Sequence, residues 1–475
     1  MNPTRPLGTT GLQCHLLGFG CYRIMNGDAD HEAALRAYLA KGGNLIDTSA
    51  NYGDGSSEEL VGKVLQGIPR ERVIVVTKGG YIQGQNMALA QQRDFPEVVE
   101  YGPGISHCIH PEFLETQIER SCQRMQRDYI DVYLLHNPEY FLEDVSHRGK
   151  LSAAGHDEFY RRIREAFRFL EAKVAAGVIG WYGISSNNFG QPAFDSPEAG
   201  TTETGTTEAC TTMTSVSRCL REAEAVSPSH HFRVVQLPLN LYEPGGAVEP
   251  NNAGKTVLQF CQENGIGVLA NRPLNAFYGN RMIRLADWAK PGARLPGPEA
   301  FIEMLQPVRQ QEAWFEQIFD EPVRLTSGET ISEMLLRVVP GLRSLSTWEQ
   351  VVGHHVIEPI QAWIVQTREN LQNKPEWDTW LKDFVGAINT VLADLRRYLG
   401  TKQQGQSDGV RAKLRAAGYP DSEESLSRLA LSVLASLDGL SCSLVGMRQP
   451  SYVDDAFGIT EMEQVEGTAI LRDFN

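Results

Sequence analysis

The chain has 475 residues, 41% hydrophobic and 22% charged, which is enough apolar material for a packed core and excludes a disordered chain. Lys and Arg number 44 against 59 Asp and Glu, a net charge of -15, and so acidic a surface argues against nucleic acid as a partner. No run approaches the roughly 18 apolar residues of a membrane span, and scattered cysteines without a C-x-x-C pair, behind an N-terminus lacking a basic and apolar leader, predict a reducing, cytoplasmic address.

In chain order, Gly8, Gly11, Gly18 and Gly20 punctuate the start and predict a small hairpin followed by a strand over residues 16–20. Further apolar runs follow at Asn44–Asp47, Val73–Thr77, Asp131–Leu135, Val178–Ile184, Val234–Gln236, Ile266–Leu269 and Ser441–Gly446. Each is continuous rather than alternating, as strands buried on both faces read. Amphipathic stretches separate them: His31–Lys41, Glu58–Gln66, Pro111–Met125, Phe159–Ala176, Val257–Asn264 and Ser425–Leu437. This alternation predicts an α/β fold, a parallel sheet closed into a (β/α)8 TIM barrel. The rival is an open doubly wound sheet. It lacks its dinucleotide fingerprint, because Arg23 stands where G-x-G-x-x-G needs its third glycine.

The barrel leaves long connections at 84–110, 141–157 and 190–231. Residues 196–217, rich in Thr, Ser, Gly and Glu, read as a mobile surface excursion. The stretch 281–424 holds Trp288, Trp314, Trp348, Trp363, Trp377 and Trp380, with helical periodicity over Ala313–Phe319, Trp348–Asn370 and Trp377–Tyr398. Tryptophan is costly to expose, so this stretch predicts a helical subdomain with its own core. The expected domains are therefore the first part of the barrel (1–280), the inserted subdomain (281–424), and the last strand–helix unit with a C-terminal tail (425–475). Residues 84–110, 141–157 and the insertion all follow strand ends on one side of the barrel and are expected to form a lid over the substrate.

In such a barrel the active site lies at the carboxyl ends of the strands. Asp47 ends the second run and Tyr52 follows in the next loop; Lys78 ends the third run and His136 the fourth. A phenol titrates at about 10 when unperturbed. An ammonium beside it favours the phenolate, so Lys78, held by Asp47, is expected to lower the Tyr52 pKa. His136 would donate to a carbonyl oxygen and fix it beside Tyr52. Such a set protonates a developing alkoxide or deprotonates an alcohol. The hydride that completes the reaction implies a nicotinamide cofactor. Taken singly, Lys78 reads as a solvated strand end, Asp47 as a turn cap and His136 as a strand-end histidine with a backbone partner. The four together favour catalysis. His107, Cys108 and His110 carry metal-type atoms, but without a second cluster no metal is expected.

The strings Leu45-Ile-Asp47-Thr-Ser-Ala-Asn-Tyr52-Gly53, Val75-Val-Thr-Lys78, Asp128-Tyr-Ile-Asp-Val-Tyr-Leu-Leu-His136-Asn-Pro138 and Gly183-Ile-Ser185-Ser186-Asn187 resemble the aldo-keto reductase family. The resemblance covers 5–280 with gaps and 425–460, and leaves out 281–424. It implies a barrel that binds NADP(H), with NAD as the alternative coenzyme, and a tetrad of Asp47, Tyr52, Lys78 and His136. It also implies coenzyme contacts from Gly20, Cys21, Tyr22 and Asp47, and carboxamide contacts from Ser185, Asn187 and Gln236. Asn271, Pro273 and Leu274 match the loop whose first residue in the family is an aromatic stacked on the nicotinamide. Here that residue is Asn271, with Phe277 or Tyr278 as candidate substitutes. Gly446 and Arg448 match the segment leading to a helix whose N-terminus holds the adenosine phosphate. Arg448 forking onto a 2′-phosphate argues for NADP, and Asp454 and Asp455 argue against it.

These observations imply an NADP-dependent oxidoreductase acting on a small aldehyde, ketone or sugar. The alternative is a cofactor-binding regulator that keeps the barrel and docks a protein partner through 281–424. A third is a lyase or isomerase with Lys78 as a Schiff-base nucleophile, which would leave Tyr52 and His136 idle.

Overall fold

The computed structural model describes residues 3–192, 211–279, 281–289, 298–342, 345–371 and 373–474. Eight parallel strands close into a barrel: β1 (Leu17–Gly20), β2 (Leu45–Asp47), β3 (Ile74–Gly79), β4 (Ile130–His136), β5 (Ile179–Ser185), β6 (Phe232–Pro238), β7 (Gly267–Asn271) and β8 (Cys442–Val445). Order around the barrel follows order along the chain, and β8 closes on β1 through Ser443↔Leu17 and Val445↔Phe19. Leu45, Val76, Val132, Leu134, Val234, Leu269 and Leu444 fill one buried cluster, which is why each strand reads as an unbroken apolar run.

A helix follows each strand: α1 (Ala29–Ala40), α2 (Ser56–Leu65), α3 (Pro111–Met125), α4 (Ala153–Ala175), α5 (Val216–Val226), α6 (Val257–Glu263), α7 (Leu426–Ala435) and α8 (Pro450–Phe457). Local chemistry starts several of them. Asp28 accepts from the N–H groups of Asp30 and His31 at α1, Ser152 caps α4, and Thr256 and Gln259 form a reciprocal capping box at α6. The sequence reading missed α5, which starts where Ser215 accepts from the Arg218 N–H. The expected mobile excursion at 196–217 lies outside the described residues up to residue 210.

The N-terminal hairpin, Thr4–Pro6 paired with Gln13–His15, sits at the amino ends of β7 and β8. Arg5 donates to the carbonyls of Leu437 and Leu440, and Leu7 and Cys14 join the barrel cluster. Gly8, at φ +56, lies so close to residues 265–267 that a Cβ would stand 2.5 Å from the Gly265 oxygen. Only glycine fits that approach.

The opposite end carries the additions. Between β3 and α3 the chain builds a three-stranded antiparallel sheet (Tyr81–Ile82, Ile105–His107, Val99–Gly102) and a helix, Gln85–Gln92. A helix, Tyr140–His147, follows β4, and a hairpin, Asn275–Tyr278 with Arg281–Arg284, follows β7.

The chain divides into two compact units, residues 1–285 with 414–475, and residues 286–413. The second unit is helical, with helices that include Gln306–Phe319, Ile331–Val338, Glu358–Leu371 and the long Pro375–Ala416. The π-helical turn Gly353–Ile357 lies just ahead of Pro359, which has no N–H to close a regular turn. This unit has its own core. Trp380 is fully buried, stacked on Phe384 at 4.7 Å and on Trp377 at 5.6 Å, with its indole N–H on the Gln311 carbonyl. Trp348 and Trp363 are also buried, and Trp288 and Trp314 pack against the same cluster.

One close approach aligns the functional strands. The β5–β6 register shifts between Tyr182 and Gly183, and a Cβ on Gly183 would lie 1.7 Å from the Val234 oxygen. Gly183→Ala is therefore expected to lower stability by about 1–3 kcal/mol or more, read as a lower midpoint in urea unfolding.

Candidate active site

The strand ends that face the additions carry the polar residues. Asp47 closes β2, His136 closes β4, Ser185 closes β5 and Asn271 closes β7; Lys78 stands on β3 and Gln236 on β6. Register brings them level, with Gly20 opposite Asp47, and Ser185 opposite both His136 and Gln236. Tyr52 opens a short helical turn, Tyr52–Gly55, just after β2.

Lys78 is fully buried, and an ammonium has three protons to place. They go to Asp47 Oδ2 at 2.8 Å, the Thr48 carbonyl at 2.8 Å and the Tyr52 hydroxyl oxygen at 3.2 Å. Burial alone would favour the neutral amine. Asp47 and Tyr52 outweigh it and hold Lys78 above its ordinary pKa, so the side chain is a cation. The other oxygen of Asp47 accepts from Gln236 Nε2 at 2.7 Å. Gln236 Oε1 in turn accepts from Ser185 Oγ at 3.1 Å and Asn271 Nδ2 at 3.4 Å. One hydrogen-bonded string therefore runs from Tyr52 through Lys78, Asp47 and Gln236 to Ser185 and Asn271.

Tyr52 departs from expectation in its acidity. Burial pushes its phenol up to about 12, against the pull of Lys78 and with Asp47 adding to the rise. The ammonium does not bring the phenol below its ordinary value, because its charge is already matched by Asp47 while desolvation acts undiminished. The phenol is therefore protonated at neutral pH. Its ring stands 6.0 Å from the His136 imidazole.

Burial, followed by the charges of Lys78 and His107, holds His136 well below its usual value, so the imidazole is neutral. Its Nδ1 lies 3.1 Å from Ser49 Oγ, which donates to Asn51 Oδ1 at 2.7 Å. Behind it, His107 Nε2 meets the His136 carbonyl at 2.6 Å; burial lowers the His107 pKa to about 4. Beside it, Tyr81 lies edge-on at 4.8 Å and takes a hydrogen bond from Asn137 Nδ2 at 2.7 Å. The metal-type trio is divided among separate bonds: Cys108 faces the Pro96 carbonyl, and His110 caps α3 through the Glu112 N–H.

The residues matched to coenzyme contacts spread around the same rim. Tyr22 is exposed and edge-on to Tyr52 at 5.2 Å. Cys21, beside Gly20, is fully buried, and burial pushes its thiol well above the ordinary range. Asn187 is exposed and anchored by its backbone N–H, which donates to Glu139 Oε1 at 2.7 Å. Pro273 is buried and Leu274 half-buried. Phe277 lies under the Arg272 guanidinium, 4.8 Å from ring centre to Cζ, and Tyr278 packs on Tyr242 at 5.5 Å. Both candidate substitutes for the stacking aromatic are exposed on the hairpin after β7, while Asn271 joins Gln236. Gly446 is exposed, and Arg448 is half-buried just before α8. Asp454 pairs with Lys41 at 2.9 Å and Asp455 with Arg428 at 3.2 Å, so a cation meets each acid that was expected to oppose a phosphate.

The rim suits an amide-bearing ring. Asn271 Oδ1 is buried and has no partner, an acceptor left for an N–H donor, and Ser185 and Gln236 stand beside it in the string just described. A nicotinamide carboxamide matches this donor and acceptor set. Sequence reasoning missed Thr48, Ser49 and Glu139. No local pattern marked Glu139, a carboxyl buried in the turn after β4, or the Thr48 carbonyl, whose partner Lys78 comes from another strand.

Residues 16–192 match the family model described as the Aldo/keto reductase family. The NADH-specific methylglyoxal reductase of Escherichia coli (strain K12) is 31% identical over 170 residues, which cover 32% of this chain and 50% of that protein. The 6-dehydroglucose reductase of Novosphingobium aromaticivorans is 30% identical over 192 residues, 36% of this chain and 57% of that protein. A solved aldo-keto reductase of Bacillus halodurans, in its holo form, has a TM-score of 0.48 and 15% identity, covering 99% of this chain and 95% of that one. The chain spans about half the length of these curated relatives.

Removing one partner of a buried ion pair strands the other. Asp47→Ala is expected to cost about 3–5 kcal/mol, measured by equilibrium denaturation. Asp47→Ala combined with Lys78→Met is expected to recover much of that loss.

Proposed function

We propose that this chain, whose residues 16–192 belong to the Aldo/keto reductase family, is a nicotinamide-dependent oxidoreductase that interconverts a carbonyl and an alcohol. The observation that carries this reading is the buried Lys78 ammonium, whose three protons go to Asp47, Thr48 and the Tyr52 hydroxyl. In reduction, Tyr52 gives its proton to the developing alkoxide; in oxidation, its phenolate takes the proton from the alcohol. Lys78 stabilises the phenolate in both directions, and Asp47 keeps Lys78 charged and in place. His136, whose Nδ1 meets Ser49, flanks the place beside the Tyr52 ring where the substrate oxygen would lie. Ser185, Asn187, Gln236 and Asn271 would hold a nicotinamide, which would supply the hydride in reduction and, in its oxidised form, accept it in oxidation. A Schiff-base role for Lys78 needs a neutral amine, and the pairing with Asp47 opposes one.

The substrate class we infer is a small aldehyde, ketone or sugar, in keeping with the methylglyoxal and 6-dehydroglucose reductases among the relatives. For the coenzyme we favour NADP(H), on Arg448 ahead of α8; the Escherichia coli relative is named NADH-specific. A second reading, a coenzyme-binding regulator that engages a protein partner through the inserted residues, draws support from Asn271 at the aromatic position and from the separate core of 286–413. Coenzyme binding without turnover on any aldehyde or sugar would favour it.

Tyr52→Phe is expected to abolish most turnover while coenzyme binding, followed by fluorescence, survives; undiminished turnover would sink the assignment. Arg448→Ala is expected to weaken NADPH binding about tenfold, the loss of one charge-assisted contact, while NADH binding stays within about twofold.

A further inference from the structure

We propose that Glu139 is a positioning residue for the coenzyme rim. By accepting the Asn187 N–H it fixes the turn after β5 and sets where Ser185 and Asn187 stand. This rests on the reading above that those two residues hold the nicotinamide carboxamide.

Glu139 lies three residues beyond His136, in a turn that begins with Asn137 at φ 51. It is fully buried, and no cation pairs with it among the described residues. Oε1 accepts from Asn187 N at 2.7 Å, while Oε2 is buried without a partner. A buried carboxyl with half its acceptor capacity idle is a costly way to hold a turn. The turn it holds is the one that links β5 to the catalytic string, since Ser185 donates to Gln236 and Gln236 to Asp47. Glu139 thereby ties the strand end that bears His136 to the strand end that bears Ser185. Elsewhere in that turn, Ser186 meets Thr214 Oγ1 and its hydroxyl also pulls on the Glu139 carboxyl, and Asn188 donates to Glu143 and to the Thr212 carbonyl. The Asn187 backbone depends on Glu139.

The titratable groups facing Glu139 are Glu143 from its own helix, Tyr140, Tyr81 and Tyr101 from the neighbouring additions, and Cys219 from α5. None is a cation. Burial pushes the Glu139 carboxyl up to about 8, against the pull of its own N–H and that of Asn187, with Glu143 adding to the rise. At neutral pH the group is therefore a neutral acid, and above about 8 it becomes a carboxylate and a stronger acceptor for Asn187. The sign for stability is the reverse. A raised carboxyl pKa means that folding stability falls as pH rises from the usual carboxylate range to about 8.

The test is a fluorescence titration of the full chain with NADPH and NADH from acidic to alkaline pH, with thermal melting alongside, on wild type, Glu139→Gln, Glu139→Ala and Ser185→Ala. Wild-type affinity should rise several-fold as pH passes about 8. Glu139→Gln should keep the neutral-pH affinity, lose that step, and melt higher than wild type at alkaline pH. Glu139→Ala should bind about tenfold more weakly, the loss of one buried hydrogen bond. Wild-type affinity in a folded Glu139→Ala, or an unchanged pH step in Glu139→Gln, overturns the proposal. If Glu139→Ala does not fold, the pH step in Glu139→Gln decides. Ser185→Ala separates the two levels. If it weakens binding and the Glu139 variants do not, only the positioning role fails; if it leaves affinity unmoved, the reading of the rim fails and the positioning role falls with it.

Discussion

A buried ammonium needs every proton matched, and Lys78 imposes that need on the whole rim of the barrel. Taking a charge of this size out of water costs several kcal/mol even after relaxation. The compensation comes from three directions: a carboxylate on β2, a backbone carbonyl just after it, and a phenol in the following loop. Asp47 then has a second oxygen to satisfy, and Gln236 reaches it from β6. Each step calls in another strand, so the barrel register and the polar string constrain one another. A slip of one residue in β3 would turn Lys78 to the other face of the sheet and leave the string without its cation.

The same desolvation that makes the ion pair so consequential also sets the protonation of its neighbours. It keeps the Tyr52 phenol protonated and the His136 imidazole neutral. Two proton-bearing groups and one fixed cation therefore stand together, the phenol touching the cation and the imidazole touching Ser49. A negative charge that develops on Tyr52 has its counter-ion already in contact and fixed in place. Glu139 follows the same physics with the opposite sign, a carboxyl kept neutral at physiological pH by burial, with no cation paired to it among the described residues.

The inserted residues solve a separate folding problem. The chain leaves the barrel after the hairpin that follows β7 and re-enters it at α7, so the strand order is uninterrupted. A long excursion at such a connection costs little loop entropy. Its helices bury Trp377 and Trp380 among Phe315, Phe319 and Phe384 in a core of their own.

The sequence by itself determined the barrel. Strands buried on both faces must be apolar throughout, and helices between them must be amphipathic, so both leave a local period that can be read without coordinates. It also put Asp47, Lys78 and His136 at strand ends, since a polar residue closing a buried run stands there, and Tyr52 in the loop that follows Asp47. The aromatic-rich core of the insertion was legible for the related reason that tryptophan is seldom left in water. Helix α5 was hidden behind a Thr-rich stretch. The engagement of Phe277 by Arg272 and of Tyr278 by Tyr242 was equally invisible, as was the idle oxygen of Glu139. So was the rise of the Tyr52 pKa, which depends on how completely water is shut out. Only the tertiary structure decided these, because partner and protonation depend on groups far apart in the chain, as when Gln236 reaches Asp47 across 189 residues. Short-range pattern records which face is buried; it does not record what the other side of the barrel brings to meet it.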